Sequence, residues 1–209
     1  MKVKALILIM LSVVMTTLPI SQGKEVENIL QNPGFEDGIV NPWTSYGPVQ
    51  IEVVGKEADP IEGDFCLHVT VLQKGANFWD AGVQYRNLIF DKGKKYTLAA
   101  FLKAKKPMNI NFKPELAQNP WTGYGEKMMM MTEEWQEFHT TTPKMPLTVN
   151  PAEITFHVAF AVNEFWMDYV RFYEGDYVEP DLETGKPRAV NPSSKLTTVW
   201  GEIKRAETR

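Results

Sequence analysis

Apolar and polar side chains alternate with a period of two along most of the chain beyond residue 45. That period belongs to a β-strand, because successive side chains of a strand point to opposite faces of its sheet. No segment convincingly repeats with the 3.6-residue period of an amphipathic helix. The pattern therefore predicts an all-β protein, with strands over residues 49–54, 66–72, 82–90, 95–103, 108–113, 135–142, 153–162 and 165–173.

The segments between these strands have the composition of turns. Gly, Pro, Asp and Lys are frequent in GKEADPIEGD, DKGKK, AKKP and PKMPLTVNPAE, and Gly and Pro are the strongest local signals for a turn. Many short strands at near-regular spacing, joined by such turns, are typical of two packed antiparallel sheets. We therefore predict a jelly-roll β-sandwich.

The alternation also predicts which side chains face the core. In EITFHVAFAV we assign the bulky apolar set to the core and the small or polar set to the opposite face; the first set is Ile154, Phe156, Val158 and Phe160, and the second is Thr155, His157, Ala159 and Ala161. In MNINFK, Asn109, Asn111 and Lys113 likewise lie opposite the apolar set. Such a face fits either the floor of a polar ligand cleft or an ordinary solvated surface.

The ends of the chain differ from its middle. Residues 1–23 have two lysines, an apolar run and small residues at Ser21 and Gly23, which is the layout of a secretory signal peptide; a retained N-terminal anchor is the alternative. The run is short for a membrane span, so we expect secretion, to an extracellular or periplasmic location, and no span after cleavage. Residues 24–177 form the predicted sandwich domain, and 178–209 a polar tail or linker.

Within that tail, the apolar island LTTVWGEIK fits either a loosely docked segment or an anchor for another protein. The whole chain of 209 residues has a formal net charge of −4, which argues against a nucleic-acid partner, because phosphates need a basic surface. The single cysteine, Cys66, allows no internal disulfide and is expected to be a small buried residue. We expect a monomer.

Motifs of common catalytic and cofactor sites are absent from the sequence. It contains no GxSxG, HExxH, GxGxxG or Walker motif and no Cys/His cluster. Glycoside hydrolysis needs two carboxylates about 5–9.5 Å apart across a cleft, and Asp80 with Glu126 is the pair to inspect. We predict that the protein is not an enzyme.

Two tryptophans lie in short polar loops. Trp79 is in NFWDAG (77–82), and Trp121 is in NPWTGYG (119–125). The neighbouring Asn, Gly and Pro residues place both loops at the surface, where a tryptophan that belongs to the core would be unusual. We interpret the two rings as a platform for a ligand.

Two acidic segments predict a cation site. NPGFEDG (32–38) lies near the predicted mature N-terminus, and MDYV (167–170) lies in the last strand. The first and last strands of a jelly roll commonly lie side by side, so Glu36 and Asp168 are expected to meet. Close carboxylates repel each other unless a cation lies between them, and oxygen-only ligands suit Ca²⁺.

The ordered set of motifs resembles the carbohydrate-binding modules of families 4, 9 and 22. The resemblance covers roughly residues 28–175 and is carried by NPGFEDG, Trp43, EGDFCLHVTV, NFWDAGVQY, GKKYTLAAFLKA, WTGYG, TEEWQEF and FWMDYVRF. It implies a jelly roll with a ligand cleft on one concave sheet and a structural Ca²⁺ away from that cleft. The implied calcium ligands are Glu36, Glu62, the carbonyl of Phe65, and Asp168.

In such modules two aromatic rings lie on either side of a sugar. Trp79 and Trp121 match those positions, and His157 matches a polar residue on the cleft floor. To the rim we assign Tyr46, Gln84, Tyr124 and Glu126. Some relatives have an acidic residue three places after the first cleft Trp and a basic one just after YG; this chain has Gly82 and Glu126 there, so its hydrogen bonds to a sugar must differ.

The sequence therefore predicts a secreted, non-catalytic protein that binds a polysaccharide or oligosaccharide of the β-glucan or xylan type by aromatic stacking. Modules of this kind usually accompany a glycoside hydrolase. Two alternatives stay open: a jelly-roll glycoside hydrolase or lyase, and a structural or adhesion domain tethered by residues 178–209.

Overall fold

The computed structural model describes residues 26–180 and residue 182, so the predicted signal peptide and nearly all of the predicted tail lie outside the described residues. The described chain is built from short strands and two single-turn 3₁₀ helices, Lys56–Ala58 and Phe78–Asp80. The strands are β1 (Thr44–Tyr46), β2 (Val49–Val54), β3 (Cys66–Val71), β4 (Gly82–Phe90), β5 (Tyr96–Ala104), β6 (Met108–Leu116), β7 (Lys127–Met131), β8 (Gln136–Thr141), β9 (Val149–His157) and β10 (Asn163–Glu174).

These strands form two five-stranded sheets. The front sheet has the order β1-β4-β9-β6-β7, and the back sheet has the order β2-β3-β10-β5-β8. Every strand pair in both sheets is antiparallel. The prediction of an all-β jelly-roll sandwich is confirmed.

The apolar sets of the two sheets meet in one core. Ile154, Phe156 and Val158 are fully buried, as the alternation predicted. Trp43 is 2% exposed, and its ring lies 5.2 Å from that of Tyr85 and 5.7 Å from that of Phe35. Aromatic pairs at such distances add to the free energy gained by burial.

The structure changes the prediction for the segment EITFHVAFAV. Its strand runs over Val149–His157, and the chain then turns. The N–H groups of Val158 and Ala159 donate to the carbonyls of Ala81 and Phe78, so Ala159 is buried in the core cluster. Ala159 is therefore not part of a groove floor, because the period of two ends where the strand ends.

The alternation did not predict two of the described strands, for a different reason in each case. β1 has only three residues, and β7 reads KMMMM, in which four methionines hide any difference between its two faces. Both lie at the edges of the front sheet.

Cys66 is a free, fully buried cysteine, as predicted. Burial raises the pKa of its thiol to about 12. No helix among residues 26–180 and 182 is long and apolar enough to cross a membrane.

Candidate functional site

A cavity of about 580 Å³ lies over the outer face of the front sheet. Ligand pockets of proteins commonly have volumes of this size. Side chains of β1, β4, β6 and β9 and of two loops line it; they are Tyr46, Phe78, Trp79, Gln84, Arg86, Lys113, Glu115, Pro120, Trp121, Glu126, Glu153, Thr155 and His157.

The strand register brings the floor of this cavity together. Thr155 of β9 pairs with Gln84 of β4 on one side and with Lys113 of β6 on the other. Directly paired residues of an antiparallel sheet point to the same face, and their sequence neighbours point into the core. Polar residues that are distant in sequence therefore become one surface.

The 3₁₀ helix Phe78–Asp80 presents Trp79 to the cavity. The Asn77 N–H donates to the Asp80 carboxylate at 2.8 Å, and the Asp80 N–H donates to the Asn77 carbonyl at 3.2 Å. The Trp79 ring meets the ring of Phe78 edge-on at 4.7 Å, and Phe78 stacks on Phe160 at 5.3 Å. The Trp79 side chain thus has a rigid support while it is 52% exposed.

The loop between β6 and β7 presents Trp121, which is 51% exposed. Its N–H donates to the Gln118 carbonyl at 2.7 Å, and its φ of 58° lies in the left-handed region that non-glycine residues seldom adopt. Lys113 Nζ lies 3.5 Å from the Trp121 carbonyl. The loop therefore holds the second indole on the same cavity as the first.

Tyr46 lies across Gly82 at the edge of the cavity. A Cβ built on Gly82 would lie 2.7 Å from the Tyr46 hydroxyl and 2.8 Å from the Phe156 carbonyl oxygen. Burial, together with the charges of Glu115 and Glu153, raises the pKa of the Tyr46 phenol well above its usual range. Tyr46 is therefore a neutral hydroxyl group at the cavity, and only glycine fits beneath it.

His157, Asn111 and Glu126 form a chain of hydrogen bonds beside the floor. Asn111 Nδ2 donates to Glu126 Oε1 at 2.9 Å, which leaves Asn111 Oδ1 as an acceptor for His157 Nδ1 at 3.1 Å. Burial, and then the charge of Lys113, lowers the pKa of His157 to about 4. The histidine is thus neutral at neutral pH, with its proton on Nδ1.

Most of the predicted rim and floor residues line the cavity, but one does not. Trp79, Trp121, His157, Gln84, Glu126 and Tyr46 line it. Tyr124 is half-buried, packs against the core cluster, and donates its N–H to the Pro114 carbonyl. Among the described residues, the predicted pair Asp80 and Glu126 is not brought together in the cavity lining, because the Asp80 carboxylate caps its own helix.

The sequence pattern placed Lys113 on the polar face but did not predict the rest of the charged floor. Arg86, Glu115 and Glu153 line the cavity together with Lys113 and Phe78. Arg86 Nε lies 3.1 Å from Glu153 Oε2, and Lys113 Nζ lies 3.0 Å from Glu115 Oε2. The predicted strand ended at Lys113 because Pro114 follows, so Glu115 was not assigned to it. The alternation continues through Pro114 in β6, and it places Lys113 and Glu115 on the same face.

The acidic residues predicted to bind Ca²⁺ gather around Gly34, away from the cavity. A Cβ built on Gly34 would have carboxylate-bearing side chains within 4 Å on three sides, those of Glu36, Glu62 and Asp168. Asp168 is fully buried and accepts hydrogen bonds from the N–H groups of Ile61, Glu62 and Tyr169.

The Glu36 carboxylate accepts hydrogen bonds from the N–H groups of Asp64 and Phe65. Burial raises the pKa of Asp168 to about 7, and burial and the charge of Glu36 raise that of Glu62. Within the described range, no group of three His, Cys, Asp or Glu side chains converges on one point as metal ligands do. Carboxylate oxygens are donors of the type that a hard cation prefers, but in this structure they accept backbone N–H groups and do not converge on one point.

Known proteins resemble this chain in sequence and in structure. A family model described as a carbohydrate binding domain, CBM_4_9, matches residues 27–163. A cellulose 1,4-beta-cellobiosidase of Acetivibrio thermocellus is 25% identical over 173 residues, which are 73% of this chain. The chain spans only 18% of the length of that curated relative.

Solved structures share the fold. The CBM22-1 xylan-binding domain of Paenibacillus barcinonensis Xyn10C is 14% identical, with a TM-score of 0.57, and the match covers 75% of this chain and 99% of that one. A CBM4 structure is 19% identical, with a TM-score of 0.52, and the match covers 69% of this chain and 99% of that structure's chain. These likenesses identify the architecture as that of carbohydrate-binding modules.

Proposed function

The chain belongs to the carbohydrate binding domain family, and from that premise we propose that it binds a polysaccharide or oligosaccharide of the β-glucan or xylan type, without cleaving it, in the cavity of the front sheet. Trp79 and Trp121 stack on sugar rings, and the polar floor takes the hydroxyl groups. The observation that carries this proposal is the pair of half-exposed indoles on one cavity with a polar floor.

A sugar ring and an indole are chemically complementary. The C–H face of the sugar is apolar, and its rim carries hydroxyl groups that need hydrogen-bond partners. If each indole removes ~100 Å² of apolar surface from water, it contributes about 2.5 kcal/mol. Two indoles then contribute about 5 kcal/mol, and hydrogen bonds to the polar floor add roughly 1 kcal/mol each. The loss of freedom on association offsets several kcal/mol of this sum, so we expect a net affinity between roughly mM and μM.

Affinity electrophoresis on soluble β-glucan and soluble xylan tests the proposal. Trp79→Ala and Trp121→Ala should each lose most of the retardation of the wild type, because each removes about 2 kcal/mol of binding free energy, roughly thirtyfold in affinity. Leu147→Ala is the matched control, since it truncates a 53% exposed apolar side chain that does not line the cavity. If both Trp variants migrate like the wild type on a retarding glycan, the two-indole site is wrong.

A hydrolase in the same cavity is the alternative, because Glu115 and Glu153 both line it. Each of these carboxylates lies beside a cation, Lys113 or Arg86. We propose that they serve binding, so incubation with either polysaccharide should release no new reducing ends. The curated match to a short part of a cellobiosidase supports an accessory role beside an enzyme, and with it secretion of the protein.

The acidic residues around Gly34 support a structural Ca²⁺ held by oxygen atoms of Glu36, Glu62 and Asp168, with the Phe65 carbonyl as the further predicted ligand. Among the described residues none of the three carboxylates forms an ion pair, although Asp168 is fully buried. A buried carboxylate without a compensating charge is costly. A hard cation with oxygen ligands removes that cost, and its place away from the cavity gives it a role in stability.

A further inference from the structure

Two acidic side chains lie directly opposite each other beneath the cavity. Glu115 of β6 pairs with Glu153 of β9, and both side chains are only 3% exposed. Like charges directly opposite each other in a sheet are destabilising, and burial makes the charged form of each carboxyl group less favourable. Strand pairing therefore places two buried carboxyl groups side by side, and their repulsion disfavours the state in which both are charged.

The neighbouring cations compensate the two carboxylates unequally. The Lys113 side chain is 12% exposed, and its ammonium group lies 3.0 Å from Glu115 Oε2. The Arg86 side chain is 45% exposed, and its Nη2 also donates to the Ala117 carbonyl. Because water screens the charge of Arg86, Glu153 is the less compensated member of the pair.

Two buried polar atoms on β9 have no hydrogen-bond partner among the described residues: Glu153 Oε2 and Thr155 Oγ1. Arg86 Nε is close to Glu153 Oε2, at 3.1 Å, but is not aligned for a hydrogen bond. Both residues line the cavity. Buried polar atoms without partners are costly and are rare in proteins, so their position points to hydroxyl groups of a ligand.

We propose that Glu153 carries a proton for the Glu115–Glu153 pair and is a specificity-determining hydrogen-bonding group of the cavity floor, so that glycan binding takes up a proton. This inference rests on the proposed function. A protonated carboxyl group both donates and accepts a hydrogen bond, which matches a sugar hydroxyl group.

The electrostatic surroundings of Glu153 support the inference. Burial, with the charge of Glu115, raises the pKa of Glu153 to about 7, although Arg86 and Lys113 oppose the shift. The charged and titratable side chains that face it from β1, β4, β6 and β9 are Tyr46, Arg86, Lys113, Glu115 and His157. His157, with a pKa of about 4, and Tyr46, whose pKa is raised far above 10, do not titrate near pH 7.

The sign of the pH dependence follows from the hydrogen bond that the protonated Glu153 carboxyl group donates. A sugar hydroxyl group that accepts this hydrogen bond stabilises the neutral form of Glu153 in the complex. The pKa of Glu153 is then higher in the complex than in the free protein. Affinity is therefore highest below pH 7 and falls above it. The total loss is tenfold for each pKa unit by which Glu153 in the complex exceeds Glu153 in the free protein.

Isothermal titration calorimetry with soluble β-glucan and soluble xylan, from pH 5 to 9, measures this linkage. Two buffers with different protonation enthalpies count the protons taken up. If binding raises the pKa of Glu153 by one unit, the wild type should lose about tenfold in affinity between pH 6 and pH 9. Binding near pH 7 should then be accompanied by proton uptake. Glu153→Gln should bind with no pH dependence, because its amide group donates and accepts at every pH.

Two further variants keep the test decisive. Glu115→Gln removes the negative charge that raises the pKa of Glu153, so the midpoint of the pH profile should move to lower pH. This variant tests the inference if Glu153→Gln does not fold. Glu133→Gln, which neutralises an exposed carboxylate outside the cavity, should retain the wild-type profile.

Equal affinity of the wild type at pH 6 and pH 9 overturns the inference, and so does a wild-type pH profile in Glu153→Gln. Either result leaves glycan binding itself intact. Absence of binding at every pH instead overturns the proposed function, and the inference with it.

Discussion

At the scale of single residues, three tryptophans show how position decides role. Trp43 is 2% exposed, whereas Trp79 and Trp121 are 52% and 51% exposed. The side chain is the same, but Trp43 contacts other core aromatics and the other two line the cavity. The first ring should therefore govern stability, and the other two should govern binding.

Urea unfolding of Trp43→Ala and Trp79→Ala tests this separation. Trp43→Ala should lower the free energy of unfolding by about 3–5 kcal/mol, because it empties a large volume of the core. Trp79→Ala should change it by less than about 1 kcal/mol, since a half-exposed ring loses little burial. Equal destabilisation by the two variants would mean that Trp79 serves the core.

Residues in loops were harder to assign from the sequence than residues in strands. Trp121 and Tyr124 occur in the same short loop, yet the first lines the cavity and the second packs against the core cluster. In a strand the period of two decides which way a side chain points. A loop has no such period, so only its three-dimensional path separates the two rings.

At the scale of elements, the close approach of β1 to β4 forms one edge of the cavity. Tyr46 of β1 pairs with Gly82 of β4, and the phenol ring occupies the space that any side chain at residue 82 would need. This contact depends on the pairing of two strands, so it is not visible within either segment of the sequence.

Gly82→Ala should displace the Tyr46 ring and weaken glycan binding, with a loss of about 1–3 kcal/mol in stability from overpacking. Affinity electrophoresis and urea unfolding measure the two effects. Gly55→Ala is the control, because the Cβ there would meet only the flexible Glu57 side chain, at 3.0 Å. Wild-type binding by Gly82→Ala would show that the position of Tyr46 is unimportant for the ligand.

At the scale of the whole molecule, the acidic cluster around Gly34 and the cavity are built from different residues. The cluster joins the segment before β1 to the turn before β3 and to β10, since Asp168 accepts hydrogen bonds from Ile61 and Glu62, and Val170 donates its N–H to the Pro33 carbonyl. A cation there would fasten the N-terminal segment to the back sheet without touching the ligand.

Chelation should therefore lower the melting temperature and leave the glycan affinity at 25 °C unchanged. A ligand that binds only the folded state stabilises it by mass action, by about 2.7 kcal/mol at a concentration of 100 Kd. Differential scanning calorimetry with EDTA, followed by added Ca²⁺ and by Mg²⁺ as a control, measures the effect. An identical melting curve with and without EDTA would remove the proposed cation.

The sequence by itself determined eight of the ten described strands, the two-sheet architecture and the surface position of Trp79 and Trp121, because alternation and turn composition are local properties of the chain. Tertiary structure decided which strands are neighbours and in what register. That register places Glu115 opposite Glu153 and brings Arg86 to the same floor. The charged floor arises from pairing between segments distant in sequence, and no local pattern encodes it.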